Sequence, residues 1–185
     1  MKAVTFSYDD GVTQDIRLVE ILNRYNLKAT FNLNSELLGK DGSLDILGKR
    51  ILHNKVQPHE ITEIYKCHEI AAHTLTHPDM TEMPADEVIR QVEQDRLNLS
   101  ELSGTEVIGM AYPGRQPNYN SRIARIIKNG TGVKYARTTI CNKDFSYQSD
   151  LYEFHPSVFH RDWDQLYKLA EKFVELDPKS EKIFY

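Results

Sequence analysis

The stretch KAVTFSYDDG, Lys2 to Gly11, decides how the rest of the chain is read. Ala3, Val4, Thr5 and Phe6 have the apolar alternation and β-branching of a strand. That strand runs straight into Asp9, Asp10 and Gly11. Two carboxylates side by side repel and raise each other's pKa unless a cation or a proton sits between them. An Asp-Gly step is equally an ordinary turn signal. The choice between the two depends on what other strand ends carry.

Working outward, helical and extended patterns alternate. Gln14 to Asn26 places Ile16, Val19, Leu22 and Tyr25 at helical spacing, with Ile21 alongside. Ala29 to Asn34 reads as a strand, and Ser35 to Pro58 as a loop with one helix around Leu44 to Leu52. Gly39-Lys40 lacks the upstream glycine and the following Ser or Thr of a phosphate-binding loop. A short helix is expected over His59 to Lys66, then a strand over Glu69 to Ala72 that delivers HTLTH, residues 73 to 77. Pro84 to Leu102 is the longest helical pattern, with Val88, Val92, Leu99 and Leu102 on one face. Strands follow at Val107 to Tyr112 and Val133 to Thr139, with a short helix over Ser121 to Lys128 between them. Glu153 to Phe159 reads as irregular or extended. Asp162 to Leu176 is an amphipathic helix with Leu166, Leu169, Ala170, Phe173 and Val174 inward. This alternation argues for parallel βα units in a doubly wound sheet or a barrel. Asp9-Asp10, the His73–His77 pair, Pro113 to Arg115, and Arg137 all fall at or just past the C-terminal end of a strand. In parallel α/β folds active sites are assembled at that edge.

Composition narrows the classes. The chain has 185 residues, enough for one domain with a substantial core. A net charge of -4 gives no electrostatic case for nucleic acid or an anionic membrane. No apolar run approaches the roughly 20 residues that span a bilayer. The first strand begins without a basic and apolar leader, so the chain as written is cytoplasmic or has lost an export signal. Two cysteines, Cys67 and Cys141, are too few for a disulfide framework or a cysteine zinc site.

HTLTH puts two histidines at i and i+4, a spacing that lets one metal take both imidazoles from one face of a helical turn. With seven histidines in the chain, such a pair also arises by accident. Two neutral imidazoles and one carboxylate suit zinc or another borderline divalent ion, with positions left open for water. The second aspartate, diverging from its neighbour in an extended chain, is then free to take a proton from that water.

These residues resemble the NodB-homology polysaccharide deacetylases, carbohydrate esterase family 4. The family's TFDDG motif is similar to Thr5-Phe6-Ser7-Tyr8-Asp9-Asp10-Gly11, and its H-[ST]-x-x-H motif is matched by His73, Thr74 and His77. The resemblance implies a single catalytic domain over 1–185 with a distorted (β/α) barrel of seven strands, cut short at its C-terminal end. It implies a divalent metal held by Asp10, His73 and His77: zinc first, with cobalt, nickel or manganese as alternatives. Asp9 is the implied base, and hydrolysis of an acetyl amide or ester the implied reaction.

Departures are informative. Where the family often has R-x-P-Y, this chain has Ala111-Tyr112-Pro113-Gly114. The Tyr112-Pro113-Gly114-Arg115 turn remains a candidate substrate and oxyanion element through the Gly114 N–H. Arg137, or else Arg115, is expected to replace the missing arginine beside the catalytic aspartate. The family's fourth motif is not recognisable, and Trp163 is read as core. The family's last strand carries a histidine implied to be the general acid. Lys182 to Tyr185 resembles only the opening of that strand, which would leave an unpaired edge, so the natural chain is expected to continue. Otherwise His155 or His160 becomes the acid. The leading expectation is an enzyme acting on acetylated oligo- or polysaccharide. The alternatives are hydrolysis of a small-molecule C–N bond at the same site, and a carbohydrate-binding domain with a disabled site.

Overall fold

A computed structural model describes residues 1–114 and 118–185. The first strand is broken at Thr5 into β1 (Lys2–Val4) and β2 (Phe6–Asp9). Helix α1 (Asp15–Arg24) returns the chain to β3 (Ala29–Leu33). A hairpin follows, β4 (Ser43–Ile46) and β5 (Lys49–Leu52), then the short helix α2 (Ile61–Ile64) and strand β6 (Glu69–Ala72). Helices α3 (Ala85–Ile89) and α4 (Asp95–Ser103) flank a π turn over Arg90–Gln94. The remainder is β7 (Gly109–Ala111), α5 (Ser121–Gly130), β8 (Tyr135–Arg137), α6 (Trp163–Glu175) and β9 (Lys182–Phe184).

Five strands form one parallel sheet in the order β2-β3-β6-β7-β8. Beyond β8, Phe154 makes a parallel bridge to Arg137, and Ser157 N–H donates to Tyr185 O at 2.6 Å. Beyond β2, the strand continues as β1, which pairs in parallel with β9. Main-chain hydrogen bonds therefore run round the curled sheet through seven extended segments, in the manner of a distorted, incompletely regular (β/α) barrel. The expected unpaired edge at Lys182–Tyr185 is corrected: β9 lies against β1 on one side, and Ile183 N–H donates to Phe145 O on the other.

The core explains the order of elements. Phe31, Leu33, Ala72, Met110, Tyr112 and Ala136 come from the sheet, and Val19, Leu22, Val88, Val92, Leu99, Ile123 and Ile127 from the helices packed on it. A smaller cluster of Phe145, Leu169, Phe173 and Phe184 seats α6 against β9. Helix starts are chemically marked: Asn120 Oδ1 accepts from Ile123 N–H, and Asp162 Oδ1 from Gln165 N–H. Among the described residues no helix is long and apolar enough to cross a membrane.

Several sequence expectations change. Leu44 to Leu52 is a hairpin, not a helix. Leu47 and Gly48 both take left-handed backbone (φ 51° and 75°), the turn that matches strand twist, and Leu47 is left 98% exposed at its tip. On α1 only Val19 and Leu22 of the expected apolar face are buried, while Ile16, Ile21 and Tyr25 are exposed. The third buried residue there is Asp15, whose carboxylate accepts from Tyr65 Oη at 2.8 Å. Val174 faces solvent, and Trp163 is 60% exposed, stacked on Tyr167 rather than in the core.

The turn after β2 admits only glycine at its last position. Gly11 has φ 58°, and a Cβ there would lie 2.8 Å from Leu33 Cδ2. Gly11→Ala is expected to cost about 1–3 kcal/mol, read as a melting temperature lowered by about 2–4 °C for each kcal/mol.

Candidate metal and catalytic site

Asp9 and Asp10 part company because the chain turns sharply between them. Asp10 takes φ 81° and Gly11 φ 58°, both left-handed, so the divergence expected of an extended strand is replaced by a bend. Aspartate tolerates that region better than most residues. Asp9 Oδ1 accepts from Arg137 Nη2 and, at 2.9 Å, from Asn32 Nδ2. Asp10 turns to a different set of partners. Its Oδ1 lies 3.2 Å from Lys55 Nζ and 3.9 Å from His77 Nε2, and its Oδ2 lies 3.2 Å from His53 Nε2.

HTLTH is not a helical turn. Thr74 and His77 have φ 70° and 59°, so the two imidazoles meet through a bent loop at the end of β6. Their rings stand edge to face with centroids 5.0 Å apart. His73 is 1% exposed, and its Nδ1 lies 2.9 Å from Ala111 O. A carbonyl only accepts, so Nδ1 carries the hydrogen and Nε2 keeps its lone pair for the site. Donor atoms of Asp10, His73 and His77 all lie within 4.8 Å of one another. One carboxylate oxygen and two imidazole nitrogens, with one ring already oriented by a carbonyl, are a donor set that fits a borderline divalent cation.

Charge is divided as sharply as position. Burial would raise the Asp9 carboxyl, but the charges of Arg137 and His73 and the hydrogen bonds from Arg137 and Asn32 outweigh it and hold it at about 2. Burial also opposes ionisation of Asp10, whose carboxyl is nonetheless held below its ordinary value by His73, Lys55 and His77. Burial pushes the His73 imidazole down and keeps it neutral. At neutral pH two carboxylates are therefore ionised next to a neutral imidazole, with a buried guanidinium on Asp9 alone.

Of the other sequence candidates, Arg137 arrives from the end of β8 with only Nε lacking a partner. His160 lies tilted against Tyr8 (6.3 Å between centroids), and burial and the charge of Arg161 push its imidazole down although the charge of Asp9 opposes them. His155 is engaged elsewhere, with Nδ1 2.6 Å from Thr138 Oγ1. Tyr112 belongs to the core: it is fully buried, stacks on Tyr119, and donates its hydroxyl to Tyr152 O at 2.8 Å. Its place in the substrate turn is corrected on that ground. Pro113 is buried, and the exposed Gly114 directs its N–H at His77 Nε2, 3.3 Å away. Arg115 lies outside the described residues.

Sequence reasoning missed Asn32, His53 and Lys55. Asn32 had a signal: Thr30, Asn32 and Asn34 alternate with Phe31 and Leu33 along a strand buried on both faces, which marks a polar interior lining. His53 and Lys55 had none. They reach Asp10 because Lys55 bridges antiparallel to Val12 and Val56 N–H donates to Gly11 O at 2.9 Å.

The parallel, curled α/β sheet carries an acid pair and an imidazole pair at its C-terminal rim, and the sequence that builds it matches a known family. Residues 1–136 match the polysaccharide deacetylase family, and the chain belongs to it. Among curated proteins, it is 26% identical over 107 residues to a bifunctional xylanase/deacetylase of Pseudobutyrivibrio xylanivorans, an alignment covering 57% of this chain and 15% of that protein. The fold is similar to that of the Streptococcus pyogenes deacetylase PplD, solved with acetate. The TM-score is 0.65 and the identity 20%, covering 80% of this chain and 61% of that one. It is also similar to a family 4 acetyl xylan esterase from Clostridium thermocellum, solved with a cobalt ion. There the TM-score is 0.54 and the identity 15%, covering 99% of this chain and 73% of that one. The chain thus spans a small part of the curated relative and less than two thirds of PplD.

Proposed function

We propose that this protein is a metal-dependent hydrolase that removes acetyl groups from N- or O-acetylated carbohydrate. One observation carries the reading. Adjacent carboxylates are split between two tasks, Asp10 joining His73 and His77 while Asp9 is gripped by Arg137 and Asn32. Asp10, His73 and His77 would hold the ion, with zinc, cobalt, nickel and manganese all compatible with the donors. Once bound, a divalent ion supplies Lewis-acid polarisation of an acetyl carbonyl and acidifies water.

The chain's own groups do the rest. Asp9, kept anionic, accepts the proton of the attacking water. With its carboxyl at about 2 it is a weak base, and would suit a water that a bound ion had acidified. Arg137 and Asn32 fix the carboxylate's direction. The Gly114 N–H points at His77 Nε2, and would be freed as a donor to the developing oxyanion once that nitrogen turned to an ion. His160, whose ring centroid lies 6.3 Å from that of Tyr8, is the candidate to return a proton to the leaving group; since burial pushes its imidazole down, it would first take that proton up during the reaction. The grip of Arg137 on Asp9 supports an intact site over an impaired binding domain.

The test is acetate release from acetylated chitooligosaccharides and acetylated xylan, with and without a chelator. Chelator-sensitive release is the expected result. Turnover of a small amide with no release from either glycan would move the reading to a small-molecule hydrolase, and chelator-insensitive release would remove the metal from it. Because imidazole ligands must be neutral, metal affinity is expected to fall in acid, and burial of His73 moves its part of that fall below the ordinary imidazole range.

Lys55 gives a prediction of opposite sign. Its ammonium sits 3.2 Å from the Asp10 oxygen that also faces His77. It therefore competes with a dication for that oxygen and repels it. Lys55→Met is expected to tighten metal binding by about tenfold, a change of roughly 1.4 kcal/mol, measured by competition against a colorimetric chelator.

A further inference from the structure

The HTLTH loop adopts a shape that its own residues do not favour. Thr74 is β-branched and yet has φ 70°, and His77 has φ 59°. Non-glycine residues held in that region cost on the order of 1–3 kcal/mol each and persist only where the surroundings over-determine them. The surroundings here are specific. Asn34 Nδ2 donates to His73 O and Thr74 O at 2.5 and 2.9 Å, and Thr74 Oγ1 accepts from His77 N–H at 3.1 Å.

Beside the contacts of His73 with Leu33 O and Ala111 O and of His77 with Gly114 N–H, a concentrated set of ties comes from the π turn between α3 and α4 and the residue that follows it. A π turn inserts a residue and widens helical pairing, so it redirects groups that a regular helix would use internally. Gln91, within the turn, accepts Leu75 N–H on its carbonyl at 3.0 Å. Its side-chain oxygen accepts Thr76 N–H at 3.2 Å and Thr76 Oγ1–H at 3.3 Å. Its Nε2 lies 3.2 Å from Thr76 Oγ1 and 3.4 Å from Glu87 Oε1. Asp95 is the first residue after the turn. It accepts His73 N–H at 2.9 Å on one oxygen and Ser35 N–H at 2.7 Å on the other, tying the ends of β6 and β3 together. The same His73 N–H also reaches Leu33 O at 2.8 Å. Both side chains are buried, Gln91 at 3% exposure and Asp95 at 0%. Apolar residues would fill that space without the cost of burying an amide and a carboxylate.

We infer that the π turn is the mould for the metal-binding loop, and that Gln91 and Asp95 are positioning residues that set the separation and tilt of His73 and His77. The inference rests on the metal reading of the site and names what tunes it. Asp95 holds the backbone of one ligand directly and Gln91 holds two of the residues between the ligands; loss of such supporting partners changes metal affinity about 10–100-fold.

The test uses the full chain, with cobalt(II) as the probe because its visible absorption reports ligand geometry without any turnover. Gln91→Met and Asp95→Asn are compared with the parent and with Leu99→Ala. The last opens a cavity in α4 and lowers stability by about 2–5 kcal/mol while taking no hydrogen bond from the loop. Binding is measured by competition with a chelator, well below each melting temperature. Gln91→Met and Asp95→Asn are expected to weaken cobalt binding about 10–100-fold and to shift its absorption, with Leu99→Ala unchanged in both. Parent-like affinity and absorption in the two loop variants would overturn the inference. So would an equal loss in Leu99→Ala, which would reduce the turn to ordinary stability. If Asp95→Asn does not fold, Gln91→Met decides alone. A parent protein that binds no cobalt, zinc, nickel or manganese would overturn the metal reading itself, a result distinct from either of these.

Discussion

Asp9→Asn is expected to lower the rate of acetate release by about 10²–10⁴-fold, the usual worth of a positioned general base, while leaving metal affinity within a few-fold of the parent. The contrast follows from the bend at Asp10. Asp9 is not among the clustered donors, and its carboxylate is occupied by Arg137 and Asn32. The amide fills the same space, keeps an oxygen for those two donors, and cannot take a proton at neutral pH. Asp10→Asn should instead lose metal and activity together. Acetate assays run beside chelator competition separate the two cases. Equal loss of metal in both variants would mean that the division of labour between the neighbours is wrong.

The second large effect is expected from Arg137→Met. Arg137 is buried, and its charge is the leading reason that Asp9 stays ionised against burial. Removing it leaves burial to act on Asp9, so the carboxyl rises. The sign follows from linkage. A carboxyl lowered on folding contributes stability that is present above its unfolded value near 3.9 and is lost as pH falls through about 2. Arg137→Met should therefore be less stable than the parent at neutral pH, and the gap should narrow below about pH 4. Because Asp9 keeps some contact with solvent, a loss of about 1–3 kcal/mol is expected. Urea melts at pH 7 and pH 3 measure it. The acid limb of the pH–rate profile should move upward in the same variant, which a purely structural loss would not produce.

How much of this was legible before the structure depends on how local each signal is. Strand β2 and the acid pair are written in ten consecutive residues, and the placement of Arg137 followed from its position at a strand end. The loop geometry was not legible. HTLTH has helical spacing, but its backbone is tied to Asn34, Gln91 and Asp95, from the end of β3, the π turn and α4, and no pattern within five residues reveals that. Leu44 to Leu52 failed for a related reason, since a two-residue left-handed tip at Leu47-Gly48 outweighs the apolar spacing around it. His53 and Lys55 are the hardest case. They come from a stretch without periodicity and reach Asp10 only through pairing with residues 11–13. Trp163 was misplaced because α6 turns its inward face through Leu169 and Phe173 instead.

The pairing of β1 with β9 bears on how the protein comes into being. The strand carrying Asp9 and Asp10 is synthesised well before its partner, since its leading half, β1, is held by residues 182–184, about 180 residues further along. Closing so long a loop is slow, and contacts of this span form after local ones. A nascent chain can therefore assemble β3, β6 and the histidine loop while its acid-bearing strand is still held on one side only. Completion of the catalytic rim therefore waits for the arrival of Lys182 to Phe184.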